Sequence, residues 1–338
     1  MAANGTVGWG VLGCGRVADR RFAPAFSKTS DAELVAFCSR DLSKARAYAR
    51  RHHARRAHQS FDALLADPDV QVVYIATPNA LHAAQAVRCV RAGKHVLVDK
   101  PMATCIRDAL ELVGAADETG RLVGVLQQQR FHPANMHLLR LRDDGTLGKL
   151  NVLRVQIGMW YPPNQSWRGT PALSGGGVVM DLAPHALDLM MEVGGEIVRV
   201  DAQIRALQFA GEVEDFACAR LDLANGAIGL LELSYCQHQY GGRVEAYGSL
   251  ASFAVEGSMQ SAGKYYTWFR KGATPEPIQE HVSNTDCYLA AIEDFTDAVQ
   301  HAGRPAIDMM DGLRVTRLID AIYTSARTGR TVDVVGHL

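Results

Sequence analysis

Apolar residues in the first third of the chain fall into short unbroken runs, each closed by glycine, proline or a polar cluster. Val7 to Leu12, Glu33 to Cys38, Val70 to Ala76, His95 to Val98 and Leu122 to Leu126 have this form. It is the pattern of strands buried on both faces. Helically spaced stretches separate them. These are Val17 to Ser27, a segment through Tyr48 opened by Asp41 as N-cap, Phe61 to Ala66 opened by Ser60, a helix containing His82 and reaching Ala92, and Ile106 to Glu118. Asp67-Pro68-Asp69 breaks the third of these. Strands alternating with helices predict a mostly parallel sheet covered by helices on both faces.

The pattern changes after a helix from Met136 to Arg142 that Asp143-Asp144-Gly145 closes. Strand-like segments then follow at Leu150 to Gly158, Ile197 to Leu207, Glu214 to Leu223, Ala227 to Tyr235, Arg243 to Tyr247 and Ala251 to Val255. Asn225-Gly226 is a hairpin signal. Neighbouring strands joined by short turns imply an antiparallel or mixed sheet. Late helices are expected at Asp294 to Ala302 and Met309 to Ser325. The chain therefore reads as α/β, with a dinucleotide-type domain over 1–126 and an α+β domain with a large, mostly antiparallel sheet over 127–338. The last helix is expected to pack back near the first domain. One face of the second sheet should rest on a helix around residues 178–188. The other face, taken as apolar, should pair with a second copy to give a homodimer or homotetramer.

Composition narrows the class. The 338 residues are 48% hydrophobic and 21% charged, with formal net charge −1. Bulk electrostatics recruits neither nucleic acid nor an anionic membrane. Arg50, Arg51, Arg55 and Arg56 read as a solvated helix face. No apolar run is long enough to span a bilayer, and Met1 to Thr6 lacks the charged start of a signal peptide. The seven cysteines are odd in number and contain no C-x-x-C pair. They read as free thiols in a reducing cytoplasm, with no clustered spacing for a metal.

The first strand runs into Gly13-Cys14-Gly15-Arg16-Val17-Ala18, a G-x-G-x-x-A turn. Gly13 permits the tight turn, Gly15 admits a pyrophosphate, and Ala18 allows close helix–strand packing. Amides at the start of the next helix, from Arg16 and Val17 onward, would face the phosphates. The second strand ends in Cys38-Ser39-Arg40-Asp41 with Lys44 beyond. An acid for a ribose diol is missing from its usual place. Ser39, Arg40 and Lys44 suit a 2′-phosphate instead, so NADP is expected over NAD. Thr77 and Asn79, after the strand Val70 to Ala76, are candidate nicotinamide- or ribose-side contacts, and His82 is either a further contact or a structural histidine. Asp99-Lys100-Pro101 ends the strand His95 to Val98, where the Lys100 ammonium could bond a substrate oxygen.

In the second half, Asp181, His185 and Asp188 have i, i+4, i+7 spacing after Gly175-Gly176-Gly177. One helix face would then hold an imidazole between two carboxylates, an arrangement suited to proton exchange near neutral pH. Arg130 and the preceding glutamines could meet substrate hydroxyls or cap the domain hinge. Trp160 and Tyr161 are candidate walls of a substrate pocket, as are Tyr235, His238 and Tyr240.

Taken together, the G-x-G-x-x-A turn, Thr77-Pro78-Asn79, Asp99-Lys100-Pro101 and Asp181 through His185 resemble the glucose-fructose oxidoreductase / inositol dehydrogenase / rhizopine-catabolism (Gfo/Idh/MocA) family over nearly the whole chain. The resemblance implies a Rossmann domain and hydride transfer between a nicotinamide and a sugar or polyol carbon. It assigns Lys100 to the reacting oxygen, His185 to acid/base exchange and Asp181 to support of the substrate or the histidine. Two departures stand out. Asp99 replaces the family's usual glutamate, and Ala183-Pro184 replaces a glycine and a small residue, with Pro184 expected in the first helical turn. Trp167-Arg168 is similar to the NADP-dependent branch that includes anhydrofructose reductase, which implies a cofactor- or substrate-side role for Arg168. An NAD-dependent inositol-type dehydrogenase and a non-catalytic dinucleotide-binding regulator of the same fold remain as alternatives.

Overall fold

The computed structural model describes residues 5–257, 266–271, 278–280 and 286–334. The chain divides into two compact units, Met1–Gln127 with Tyr288–Arg314, and Gln128–Cys287 with Val315–Leu338. The first unit holds β1 (Val7–Leu12), β2 (Ala32–Cys38), β3 (Arg56–His58), β4 (Val72–Ile75), β5 (His95–Asp99) and β6 (Val123–Leu126). They form a parallel sheet in the order β3-β2-β1-β4-β5-β6. The order reverses at β1, and in such sheets ligands bind beyond the strand ends at that switch point.

A single cut near residue 126 does not describe the chain, because residues 288–314 return to the first unit. Phe295, on the helix Cys287–Gln300, packs its ring 5.7 Å from that of Trp9. A Cβ on Gly124 would come within 2.8 Å of Phe295, so β6 needs glycine where this helix crosses it. Asp308 bridges to Gly124, and the Ile307 carbonyl accepts from the Val125 N–H. The helix that returns, from its second residue on, is thus Cys287–Gln300. The last helix, Met309–Thr328, belongs to the first unit only as far as Arg314.

In the second unit the described strands are β7 (Leu150–Trp160), β8 (Ile197–Arg205), β9 (Phe216–Leu223), β10 (Ile228–Ser234), β11 (Cys236–Gly248), β12 (Ala251–Glu256), β13 (Tyr266–Lys271), β14 (Ile278–Glu280) and β15 (Val332–Asp333). Their order is β14-β13-β12-β11-β7-β10-β9-β8-β15. Every pairing is antiparallel except β7 with β10. That pair is joined through a long helix and the β8–β9 hairpin, a connection long enough to bring a strand back in the same direction. The long helix, Val178–Gly194, lies against one sheet face. Val179, Leu182, Ala186 and Met190 share a core with Leu153 and Val155 of β7, Leu221 of β9 and Leu231 of β10.

The opposite sheet face is not apolar. Period-2 alternation turns Arg154, Gln156, Arg220, Glu232, Arg243 and Glu245 toward it, where they line a shallow depression. Glu245 is nearly buried there, accepting from Arg154, Arg243 and the Tyr247 hydroxyl at 2.9–3.1 Å. No described helix is long and apolar enough to cross a membrane.

Candidate active site

In the first unit β1 delivers the chain into the glycine turn. Gly13 has φ +104°, and a Cβ there would lie 2.6 Å from the Ala76 carbonyl oxygen, so the position requires glycine twice over. Its N–H donates to the Cys38 carbonyl at 3.0 Å, tying the turn to the end of β2. A Cβ on Gly15 would meet only an ordinary 3.7 Å contact. The protein itself leaves that side of the turn open, as a dinucleotide cradle requires. Arg16 is exposed, Val17 half-buried and Ala18 buried. The helix that follows is not regular. Ala18–Phe22 forms a wide turn in which the Ala23 N–H reaches the Ala18 carbonyl, next to Pro24, which has no N–H to continue the usual ladder.

Asp19 is the acidic residue in the first turn of this helix. The Arg51 guanidinium pairs with it at 2.7 Å, and His52 Nε2 lies 2.9 Å from it. Partial burial works against ionisation, but these two partners hold its carboxyl below the usual range. Arg55 pairs with Glu33, and Arg56 with Asp67 and Asp69, so three of the four clustered arginines have acidic partners within the fold. At the end of β2 the Ser39 hydroxyl accepts from the Asp41 N–H. Asp41 caps its helix, accepting from the Ser43 and Lys44 N–H groups at 2.9 and 3.2 Å. Bonds from Ser43 and Lys44 keep its carboxyl low. Arg40 and Lys44 are exposed beside it.

Beyond β4, the Thr77 hydroxyl donates to Gln85 at 2.6 Å, and Asn79 is buried. His82 is 1% exposed. Its Nδ1 lies 2.7 Å from the Pro101 carbonyl oxygen and its Nε2 2.8 Å from that of Thr77. Beyond β5, Asp99 accepts from the Lys100 N–H at 2.9 Å and from the Tyr74 hydroxyl at 3.1 Å. Burial pushes the Asp99 carboxyl up, opposed first by the neighbouring Lys100 charge. Tyr74 thus supplies the partner for the shortened carboxylate arm, and it is locked by stacking 3.6 Å from the Phe22 ring. Its only trace in the sequence is one tyrosine in an otherwise aliphatic strand. Lys100 is half-buried, and its bond to Pro101 is cis.

In the second unit the helix bearing His185 has no capping side chain at Gly177. Its free N–H groups are met from elsewhere. Val178 and Val179 donate to the carbonyl and carboxylate of Glu214 at 3.0 and 3.1 Å. Tyr323 donates to the same carboxylate at 2.8 Å and faces the backbone of Gly177 and Met180. This explains the glycine triplet. A Cβ on Gly176 would fall 2.0 Å from the Tyr323 hydroxyl, and one on Gly177 2.0 Å from the Glu214 carbonyl oxygen. The borrowed cap starts the helix at Val178, so Pro184 lies in the second turn rather than the first.

Asp181, His185 and Asp188 do share this helix, but the two acids serve different partners. Asp188, 1% exposed, is gripped by Arg130, Nε to Oδ2 at 2.8 Å and Nη2 to Oδ1 at 2.6 Å. Arg130 also reaches Glu192 at 3.3 Å, so its fork is engaged by the helix rather than presented to a substrate. Asp181 accepts from the Tyr235 hydroxyl at 2.7 Å and from Arg168 Nε at 3.3 Å. Asp181 holds the Arg168 guanidinium firmly in its charged form, and the Trp167 ring lies 4.6 Å beneath it. The described partners of Arg168 are Asp181, Trp167 and Tyr161. Tyr161 packs its ring 5.2 Å from Tyr235 and shares a hydrogen bond with Ser166. Trp160, the next residue along a strand end, is 42% exposed and stacks on His238 at 4.0 Å. Adjacent strand residues face opposite ways, which separates Trp160 from Tyr161. The side chain of Tyr240 lies outside the described residues. Tyr235 was legible only as an aromatic; no spacing rule links positions 54 apart to one carboxylate.

A model described as the oxidoreductase family with NAD-binding Rossmann fold matches residues 7–127, and the Gfo/Idh/MocA C-terminal domain matches residues 136–254. The chain belongs to the Gfo/Idh/MocA oxidoreductase family. Among its relatives, Oxidoreductase P35 of Formosa agariphila is 32% identical over 61% of this chain and 68% of that protein. The 1,5-anhydro-D-fructose reductase of Ensifer adhaerens is 27% identical over 96% and 98%. The solved structure of aldose-aldose oxidoreductase from Caulobacter crescentus, complexed with glycerol, superposes with a TM-score of 0.91 at 29% identity, covering 97% and 99%. This Gfo/Idh/MocA member is accordingly an NAD(P)-dependent oxidoreductase acting on CH–OH groups. Among its described residues no group of three His, Cys, Asp or Glu could hold a metal ion.

Proposed function

We propose that this enzyme interconverts the hydroxyl and carbonyl forms of a sugar, keto-sugar or other polyol, with NADP as the favoured dinucleotide. When bound, the nicotinamide supplies or accepts the hydride. His185 exchanges the proton of the reacting hydroxyl. Lys100 hydrogen-bonds the same oxygen and stabilises the negative charge it develops on oxidation. Asp181 is a fixed acceptor one helical turn before His185, suited to a substrate hydroxyl or to orienting the imidazole. The observation that carries this reading is the anchoring of Asp181 by Tyr235 and Arg168, which builds a rigid polar site around the histidine helix. The sugar-acting names of the reductase and aldose oxidoreductase relatives support the substrate class.

The preference for NADP rests on the end of β2. Asp41, two residues past Ser39, is used as a helix cap, while Ser39, Arg40 and Lys44 lie beside it. Backbone amides after Gly13 and Gly15, with Arg16 and Val17, would hold the pyrophosphate, and Thr77 and Asn79 the nicotinamide side. The polar open sheet face, with arginines and acids interleaved, suits a self-complementary homodimer or homotetramer contact. Light scattering that finds a monomer at micromolar concentration rejects that part.

The decisive experiment is a polyol and keto-sugar panel followed at the reduced-nicotinamide absorbance with both dinucleotides. Turnover is expected with NADP preferred. His185→Ala should lose about 10²–10⁴-fold in kcat while still binding dinucleotide. Wild-type turnover in His185→Ala removes the mechanism, and a preference for NAD removes the cofactor assignment.

A further inference from the structure

His82 carries no role in the mechanism above, yet its surroundings are chemically specific. The ring is buried at 1% exposure. Both nitrogens lie within hydrogen-bond reach of backbone carbonyl oxygens, Pro101 at 2.7 Å and Thr77 at 2.8 Å. Carbonyl oxygens only accept. A neutral imidazole has one N–H and one lone pair, so it satisfies one carbonyl and turns its lone pair on the other. A ring carrying both protons serves both. The two carbonyls belong to different loops. Thr77 follows β4, and Pro101 follows β5 directly after Lys100.

We propose that His82 is a positioning residue, a doubly protonated cross-brace that fixes the Lys100 backbone relative to the Thr77–Asn79 loop. The Asp99 carboxyl beside it is itself bonded by Tyr74 and by the Lys100 N–H. The brace therefore closes a ring of contacts around Lys100, in which Asp99 holds its N–H and His82 holds the carbonyl of the next residue. Loss of one ring proton would free one carbonyl and let the lysine loop shift against the nicotinamide-side loop. A misplacement of that kind costs up to about 10²-fold in rate without removing any group that touches substrate. This role rests on the proposed contact between Lys100 and the reacting oxygen.

The test begins with the ligand-free wild-type protein, ¹⁵N-labelled at histidine. The His82 signals are assigned by their loss in His82→Gln, or in His82→Asn should the first variant fail to fold. Both ring nitrogens are expected to be protonated at neutral pH. A ring with one bare nitrogen overturns the brace, whatever the enzyme does. Steady-state kinetics of the folded variant should then show kcat reduced by up to about 10²-fold, KM little changed, and dinucleotide affinity by fluorescence titration unaltered. Wild-type kcat in that variant overturns the positioning role. If Lys100→Ala keeps full turnover while the wild-type ring is doubly protonated, the catalytic reading of Lys100 fails and the brace stands.

Discussion

Arg130 and Asp188 form a two-pronged ion pair inside the second unit, with both carboxylate oxygens bonded at 2.6 and 2.8 Å. The pair joins the segment that opens this unit to the helix carrying His185. Removing one partner takes the two-pronged bond from a buried charge, and breaking such a pair typically costs about 3–5 kcal/mol. Arg130→Met should therefore lower the urea midpoint strongly. Arg130→Met with Asp188→Leu together should recover much of the loss. A double variant no more stable than the single one would show that the cost lies elsewhere.

Tyr235→Phe removes one hydroxyl from a buried ring and leaves its packing on Tyr161 in place. It takes from Asp181 the 2.7 Å donor that fixes one carboxylate oxygen. Hydrogen bonds to charged groups contribute about 1.5–3 kcal/mol. Expected are a modest loss of stability and a fall of roughly 10-fold or more in kcat/KM, converted from that range. Unchanged kinetics in a folded Tyr235→Phe would separate Asp181 from the reaction.

His132 makes stability depend on pH. It is 2% exposed and caps the helix Pro133–Asp143, its Nδ1 accepting from the Ala134 N–H at 3.3 Å. Burial brings its pKa down to about 4 from 6.5. The unfolded chain thus takes up the proton first. The contribution is fully present above pH 6.5 and is lost as pH falls toward 4, a loss of about 3 kcal/mol. His95, lowered to about 4 by burial and by Arg121, accepts from the Leu122 N–H in the first unit and acts in the same sense. His132→Asn keeps an acceptor at the cap without titrating in this window. Its unfolding free energy should fall less steeply between these pH values; a slope equal to wild type would refute the assignment.

Two glycines should respond in opposite directions. Gly177→Ala forces a Cβ to 2.0 Å from the Glu214 carbonyl oxygen, a backbone atom, and displaces the borrowed cap of the histidine helix. A loss of about 1–3 kcal/mol or more is expected, with activity falling alongside. Gly114 sits exposed within the helix Ile106–Thr119, with nothing within 4 Å of an added Cβ. Gly114→Ala should gain about 0.5–1 kcal/mol from helix propensity. Thermal melts of the two variants moving the same way would contradict this account.

The sequence by itself determined what is local. Runs of apolar residues set five of the six strands of the first sheet; β3, short and polar at Arg56–His58, left no such run. Glycines at 13 and 15 set the dinucleotide turn, Asp41 and Ser60 set helix starts, and the change of hydrophobic period separated the two kinds of sheet. Each depends on neighbours a few positions apart, where backbone sterics and alternation act directly. Tertiary structure decided which polar groups meet. Asp181 and Asp188 were legible as one helix face, but their pairing with Tyr235, Arg168 and Arg130 depends on segments distant in sequence. The same holds for the cap that Glu214 and Tyr323 lend to Gly177, and for the return of residues 288–314 to the first unit. Spacing along a chain fixes direction within one element. The desolvation of a buried charge is what selects its partner, and that partner is defined only once the elements are packed.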